Sequence, residues 1–252
     1  MDRLTYIGHA TTLLQLGRSS VLTDPMLRGW LGPLTRHGPR PPKSLADATD
    51  LVLISHLHRD HLDLRSLRRL RGKAPMVVPH GAAGLAGRGG AEEIHELGRG
   101  ETVSIGDVEV TGVPAKHGGH RDGSRGVEVE PLGYLIRAGG RTAYFAGDTD
   151  LFPEMADLGP VDLALLPVWG WGPSVGAGHL DPEKAARAVE VIRPRLAVPI
   201  HWGTFYPLGL RRFRPKPLAD PPHEFARLAK RAAPEVEVRV LQPGDETPLE
   251  DG

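Results

Sequence analysis

The chain of 252 residues contains no cysteine. Disulfides and thiolate metal sites are therefore excluded, and any metal must be held by His, Asp or Glu. Neither sign of charge is in surplus, since Lys plus Arg and Asp plus Glu both total 31. A formal net charge of zero argues against a general nucleic-acid binder, which needs a basic field over a large surface. No apolar run approaches the roughly 20 residues needed to span a bilayer. The opening MDRLTYIGHATTLLQLG lacks the basic start, apolar core and small-residue cleavage site of a secretory signal, so the expected location is the cytoplasm. There is no repeat, coiled coil or low-complexity tract, and no linker that divides the chain. The expectation is one globular domain over residues 1–252.

Short apolar runs alternate with Gly/Pro-rich loops, the pattern of an α/β protein. Strands are expected at Leu4 to Ile7, Thr12 to Leu16, Ser20 to Thr23, Leu51 to Ile54, Met76 to Val78, Leu163 to Val168, Arg195 to Ile200 and Val236 to Leu241. Hairpins are expected to turn at Gly106-Asp107 and Gly139-Gly140. The stretch between Pro25 and Leu51 is too rich in Gly and Pro for a regular element and reads as a long loop. After His61, leucines at 64, 67 and 70 fall at helical spacing with Asp63 placed to cap, and Asp181-Pro182-Glu183 starts a second helix. A final helix is expected over His223 to Ala233.

The chemistry concentrates in SHLHRDH, residues 55 to 61, where three histidines and an aspartate follow a buried strand. Such crowded imidazoles repel when protonated and compete for partners when neutral. Three distant apolar runs end in the same kind of cargo: VTGVPAK before His117, TAYFAG before Asp148 and LAVPI before His201. Strand ends are where a rigid sheet aims functional side chains. In extended chain, residues two apart project to one side, so His56 and His58 suit one ion while Asp60 and His61, past a bend, suit a second. His117 would join the first set and His201 the second, with Asp148 bridging. Imidazole and carboxylate ligands of this kind suit zinc first, with manganese or iron as alternatives.

The pattern His56-x-His58-x-Asp60-His61, then His117, Gly147-Asp148-Thr149 and His201, resembles the metallo-β-lactamase superfamily. That resemblance implies an αββα sandwich, two packed mixed β-sheets flanked by helices, with two divalent metal ions at one edge. Further blocks, among them GHATTLL, LTDPMLRG, YFAGDTDLF, VDLALLPVWGW, HLDPEKA and IHWGTF, resemble the branch containing N-acylphosphatidylethanolamine phospholipase D, close to the ascorbate-6-phosphate lactonases. The segment after His117, GGHRDGSRGVEVEP, departs from the aromatic stretch usual in that branch. The implied activity is hydrolysis by hydroxide held between two ions, most directly on a small-molecule or lipid phosphodiester, with a phosphorylated sugar lactone as the alternative. A non-catalytic metal-binding or sensor protein is the alternative of another class. A diiron oxidoreductase of the same fold would carry Glu where this chain has His58.

Asp60 is assigned as both ligand and orienter of the nucleophile. His179, just before the helix at Asp181, is the candidate proton donor or phosphate contact. His9, Trp30, Trp169 and Trp171 are candidates for lining the substrate site, with packing beneath it as the alternative for His9, whereas Trp202 reads equally well as packing. Asp24 in TDP reads as a turn residue, with support of a ligand histidine as the alternative. Peripheral membrane contact is compatible with the basic LRRFRPK, which otherwise reads as a solvated face. No nucleic-acid partner is expected.

Overall fold

The computed structural model describes residues 2–72, 74–122, 125–169 and 176–249. Two seven-stranded mixed sheets dominate it. In spatial order the first comprises Glu246–Pro248, Arg3–Gly8, Thr11–Leu16, Ser19–Thr23, Leu51–Leu53, Met76–Pro79 and Ile94–Leu97. The second comprises Glu237–Val238, Leu196–Ile200, Leu163–Pro167, Arg141–Phe145, Leu132–Ala138, Val108–Pro114 and Thr102–Ile105. Each sheet is antiparallel at one end, where hairpins join neighbours, and parallel at the other, where the chain crosses over. This is the metallo-β-lactamase fold.

Alternation along the strands explains the layering. Leu51 and Leu53 belong to a large core cluster with Tyr134, Ile136, Leu163 and Val198 of the second sheet. Val52 and Ile54 instead pack with Leu67, Leu70 and Leu85 on the outer face of the first sheet. Residues two apart share a face, so a strand apolar at every position must be covered on both sides. The covering helices follow from local chemistry. Asp63 caps Leu64–Arg69 by accepting from the Ser66 amide at 2.9 Å, and Asp181 caps Pro182–Ile192 by accepting from Lys184 at 2.8 Å. Ala185, Ala188, Val189 and Ile192 of the second helix face the core together with Phe225 and Ala229 of Pro221–Ala232.

Three expectations need correction. The supposed loop after Pro25 contains strands Trp30–Leu31 and Leu34–Arg36, which join Phe205–Pro207 in a small third sheet, and a 3-10 turn at Lys43–Ala46. Pairing with a distant segment supplied the hydrogen bonds that local composition could not forecast. The strand Ile94–Leu97 is one the alternation did not suggest. The last strand is only Glu237–Val238, and the chain continues to Glu246–Pro248 at the edge of the first sheet. Among the described residues, no helix is long and apolar enough to cross a membrane.

Candidate metal centre

Four strand ends converge at one rim of the sandwich. Leu51–Leu53 is followed by His56, Val108–Pro114 by His117, Arg141–Phe145 by Asp148 and Leu196–Ile200 directly by His201. Beyond Leu57 the chain turns, with the amides of His61 and Leu62 both donating to the His58 carbonyl. That turn divides the motif. His56 Nε2 lies 2.9 Å from His58 Nδ1, which lies 3.0 Å from His117 Nε2. On the other side Asp60, His61 and His201 gather with His9, their ligand atoms all within 4.8 Å of one another. Asp148 reaches both groups: Oδ2 is 3.3 Å from His61 Nε2 and 3.9 Å from His117 Nε2, and Oδ1 is 3.4 Å from His201 Nε2.

The far nitrogens are pinned. His61 Nδ1 donates to Asp24 at 2.6 Å, His117 Nδ1 to the Gly178 carbonyl at 2.8 Å and His201 Nδ1 to the Trp169 carbonyl at 2.6 Å. Ser55 Oγ donates to Asp24 at 2.5 Å, so its contact at 2.9 Å with His56 Nδ1 is one it accepts. Each of the four rings is thereby held with Nε2 facing inward, as metal-ligating histidines require. Two inward Nε2 lone pairs, from His56 and His117, meet His58 Nδ1, and one proton cannot serve all three. His61 Nε2 and Asp148 Oδ1 are buried without a hydrogen-bond partner. Orphaned buried donors and acceptors of this kind are costly unless a cation joins them. The donor set, nitrogen and carboxylate oxygen only, fits divalent ions such as zinc.

The electrostatics agree. Burial holds His56 well below the usual imidazole range, pushes His9 down to about 3 and His117 down to about 4. These rings are neutral and can donate lone pairs. Burial also opposes charge on Asp60 and Asp148, yet the neighbouring imidazoles outweigh it and hold both carboxyls well below their ordinary value. His61 is pushed well up, against its burial, by Asp148, Asp60 and Asp24. Without metal, protonated His61 is the counter-charge that ions would replace.

The backbone is strained here. His9, Asp24 and His201 adopt positive φ of 60°, 32° and 62°, a region that side chains other than glycine seldom enter. Thr11 Oγ1 donates to the Asp24 carbonyl and accepts from the Met26 amide, while the His201 amide donates to the His9 carbonyl. Gly147 precedes Asp148 at φ 60°, and a Cβ there would come within 2.6 Å of Ser55. Only glycine lets the two strand ends approach so closely.

Other assigned residues fall out as follows. His9 is 2% exposed, and its Nε2 sits 2.9 Å from Asp60 Oδ2, so it supports the carboxylate from beneath instead of lining an open site. His179 reaches the rim, with Nε2 3.9 Å from Asp148 Oδ2 and a side chain 30% exposed. Trp169 is buried against Tyr206 and contributes its carbonyl, while Trp202 packs on Tyr6. Trp30 is 64% exposed on the small third sheet, and Trp171 lies outside the described residues. The favoured reading of Asp24 as a turn residue is corrected, for this fully buried carboxylate binds His61, Ser55 Oγ and the Ser55 amide. Sequence reasoning also passed over Arg121, which donates to the carbonyls of Leu57 and Leu62 and so braces the ligand loop at both ends. Its only signal was a cation in the segment after His117.

Two measurements check this account. Asp24→Asn should retain the fold but weaken zinc affinity about 10- to 100-fold, read by competition with a chromophoric chelator. For the metal-free protein, unfolding lets His9 and His117 take up protons below pH 6.5 that the folded state refuses. The lowered His56 adds to this loss and the raised His61 and His201 offset part of it, so folding stability falls as pH drops and Tm should decrease by on the order of 10 °C between pH 7 and pH 5. An unchanged Tm would mean those rings are not buried neutral.

Comparison with known proteins gives the same assignment. A family model described as "Beta-lactamase superfamily domain" matches residues 19–202. A protein of Opitutus terrae named UPF0173 metal-dependent hydrolase is 37% identical over 250 residues, covering 96% of this chain and 98% of the relative. One of Methanopyrus kandleri is 34% identical with the same coverage. Among solved structures, the metallo hydrolase Igni18 of Ignicoccus hospitalis is 26% identical with a TM-score of 0.70, covering 98% of this chain and 97% of that one. The diiron β-hydroxylase CmlA of Streptomyces venezuelae shares the fold at 21% identity and a TM-score of 0.73, this chain matching 54% of its length. The chain belongs to the UPF0173 metal-dependent hydrolases of the β-lactamase superfamily.

Proposed function

We propose that this hydrolase holds two divalent ions, zinc foremost, and cleaves a phosphodiester. The observation that carries the two-ion reading is that two clusters of ligand atoms, His56, His58, His117 and His9, Asp60, His61, His201, share no residue while Asp148 reaches both. His56, His58 and His117 would hold one ion and Asp60, His61 and His201 the other. Bound there, the ions would lower the pKa of water from 15.7 toward about 7 and polarise the oxygen under attack. Support for phosphodiester chemistry comes from the resemblance of the HLDPEKA and IHWGTF blocks to the phospholipase D branch.

The chain's own residues supply the rest. Asp60, steadied by His9 at 2.9 Å, is placed to accept a hydrogen bond from the attacking water and orient it. His179 stands on the open side of Asp148, partly exposed, where it can donate a proton to the departing alkoxide or hold a phosphate oxygen. No serine nucleophile is needed.

Purified protein should contain close to two equivalents of metal and hydrolyse bis(4-nitrophenyl) phosphate. Turnover of a phosphorylated sugar lactone without phosphodiester cleavage would replace the substrate assignment, and stoichiometric metal with no turnover of either would favour a sensor. His58→Ala should lose metal and activity together. His179→Ala should keep its metal while kcat falls about 100-fold. An undiminished rate removes His179 from the mechanism.

A further inference from the structure

A second site lies in a cleft of about 710 Å³ between the segment Leu27–Asp47 and the end of the helix Leu64–Arg69. Its lining carries six cations, Arg36, Arg40, Lys43, Arg68, Arg69 and Arg71, against one carboxylate, Asp47. None of these residues is a candidate metal ligand. The excess arises from two stretches remote in sequence: residues 25–46 and residues 64–91 contain no Asp or Glu whatever. In a chain whose charges balance at 31 and 31, folding has brought two acid-free walls face to face.

The cations lack counter-charges. Arg36 donates to the carbonyls of Arg28, Ile7 and Met26, Arg69 to that of Leu27 and Arg68 to that of Arg88. Among the described residues none of the six cations makes an ion pair with a carboxylate. Neutral carbonyls satisfy N–H groups but do not offset mutual repulsion. Arg36, the least exposed of them, has its guanidinium pushed down to about 10 by burial, with Arg69 a smaller contributor. A helix C-terminus accounts for Arg68 and Arg69, but not for Arg36, Arg40 and Lys43, which arrive from the opposite wall.

We propose that this cleft is a binding site for an anion bearing several phosphate groups. Five of its six cations are arginines, whose planar forks match phosphate oxygens two at a time. The volume suits a small molecule, within the range of about 300–1,000 Å³ usual for such clefts. Apolar contact from Leu27, Leu45 and Leu70 leaves room for an uncharged portion beside the phosphates. The same chemistry is presented by a soluble polyphosphate ester or by a lipid headgroup that carries several phosphates.

The test is calorimetric titration of the metal-loaded full chain with inorganic tripolyphosphate, beside sedimentation with phosphatidylcholine vesicles that contain phosphatidylinositol bisphosphate. Arg40→Gln/Arg71→Gln alters exposed cleft residues and leaves the metal centre alone, so any chelation there is common to both proteins. Arg211→Gln/Arg212→Gln removes the same charge elsewhere. The cleft variant should bind tripolyphosphate at least about tenfold more weakly with unchanged metal content and rate, while the control variant binds like the parent. Vesicle binding that the cleft variant loses, with or without tripolyphosphate binding, supports the site with a lipid headgroup as its source. Tripolyphosphate binding alone points to a soluble ligand. Equal weakening in both variants, no effect of the cleft variant, or no binding of either probe overturns the proposal.

Discussion

Everything at the rim depends on one electrostatic constraint. Asp24, Asp60 and Asp148 are almost wholly buried within reach of five inward imidazoles, and carboxylates so placed must meet positive charge. Within the protein alone, the raised pKa of His61 meets part of that demand. Bound divalent metal would meet it more fully, and would also satisfy lone pairs that otherwise collide, as at His56, His58 and His117. The fold is rigid where this demands rigidity, because the strands Leu51–Leu53 and Leu196–Ile200, which lead to His56 and His201, are buried throughout.

The outer shell of contacts explains how flexible loops hold such a geometry. Asp24 is the centre of it, joining the Ser55 hydroxyl and amide to His61 and thus tying the strand Ser19–Thr23 to the turn that carries His61. The His9–His201 backbone bond ties the first sheet to the second. Positive φ at His9, Asp24 and His201 is sustained only because these bonds over-determine it, which is how strain survives at functional sites. The core clusters behind them supply the stability against which that strain is set.

The candidate ligands were legible in sequence because a metal demands a narrow range of residue types and because strand ends are marked by the loss of apolar alternation. His56, His58, Asp60, His61, His117, Asp148 and His201 all emerge this way, and the structure brings them together. The hairpins at Gly106-Asp107 and Gly139-Gly140 were legible for a similar local reason. The supporting residues were legible only as alternatives. Asp24 looks like any aspartate before proline, and His9 like any histidine after a strand, until the chain's return places Ser55 and Asp60 beside them. The strands Trp30–Leu31 and Leu34–Arg36 were hidden because their partner, Phe205–Pro207, lies some 170 positions away.

Sequence by itself therefore determined the metal-ligating residue types, their order, the absence of thiolate chemistry and the alternation that yields paired sheets, all of which are local or compositional properties. Tertiary structure alone decided which side of Asp60 His9 occupies, that Asp148 faces both ligand groups, that Trp169 serves through its carbonyl and that two acid-free stretches share a cleft. The physical reason is one of range. Propensity and spacing act over a few residues, whereas hydrogen bonds and charges act between whatever groups the closed sandwich sets side by side.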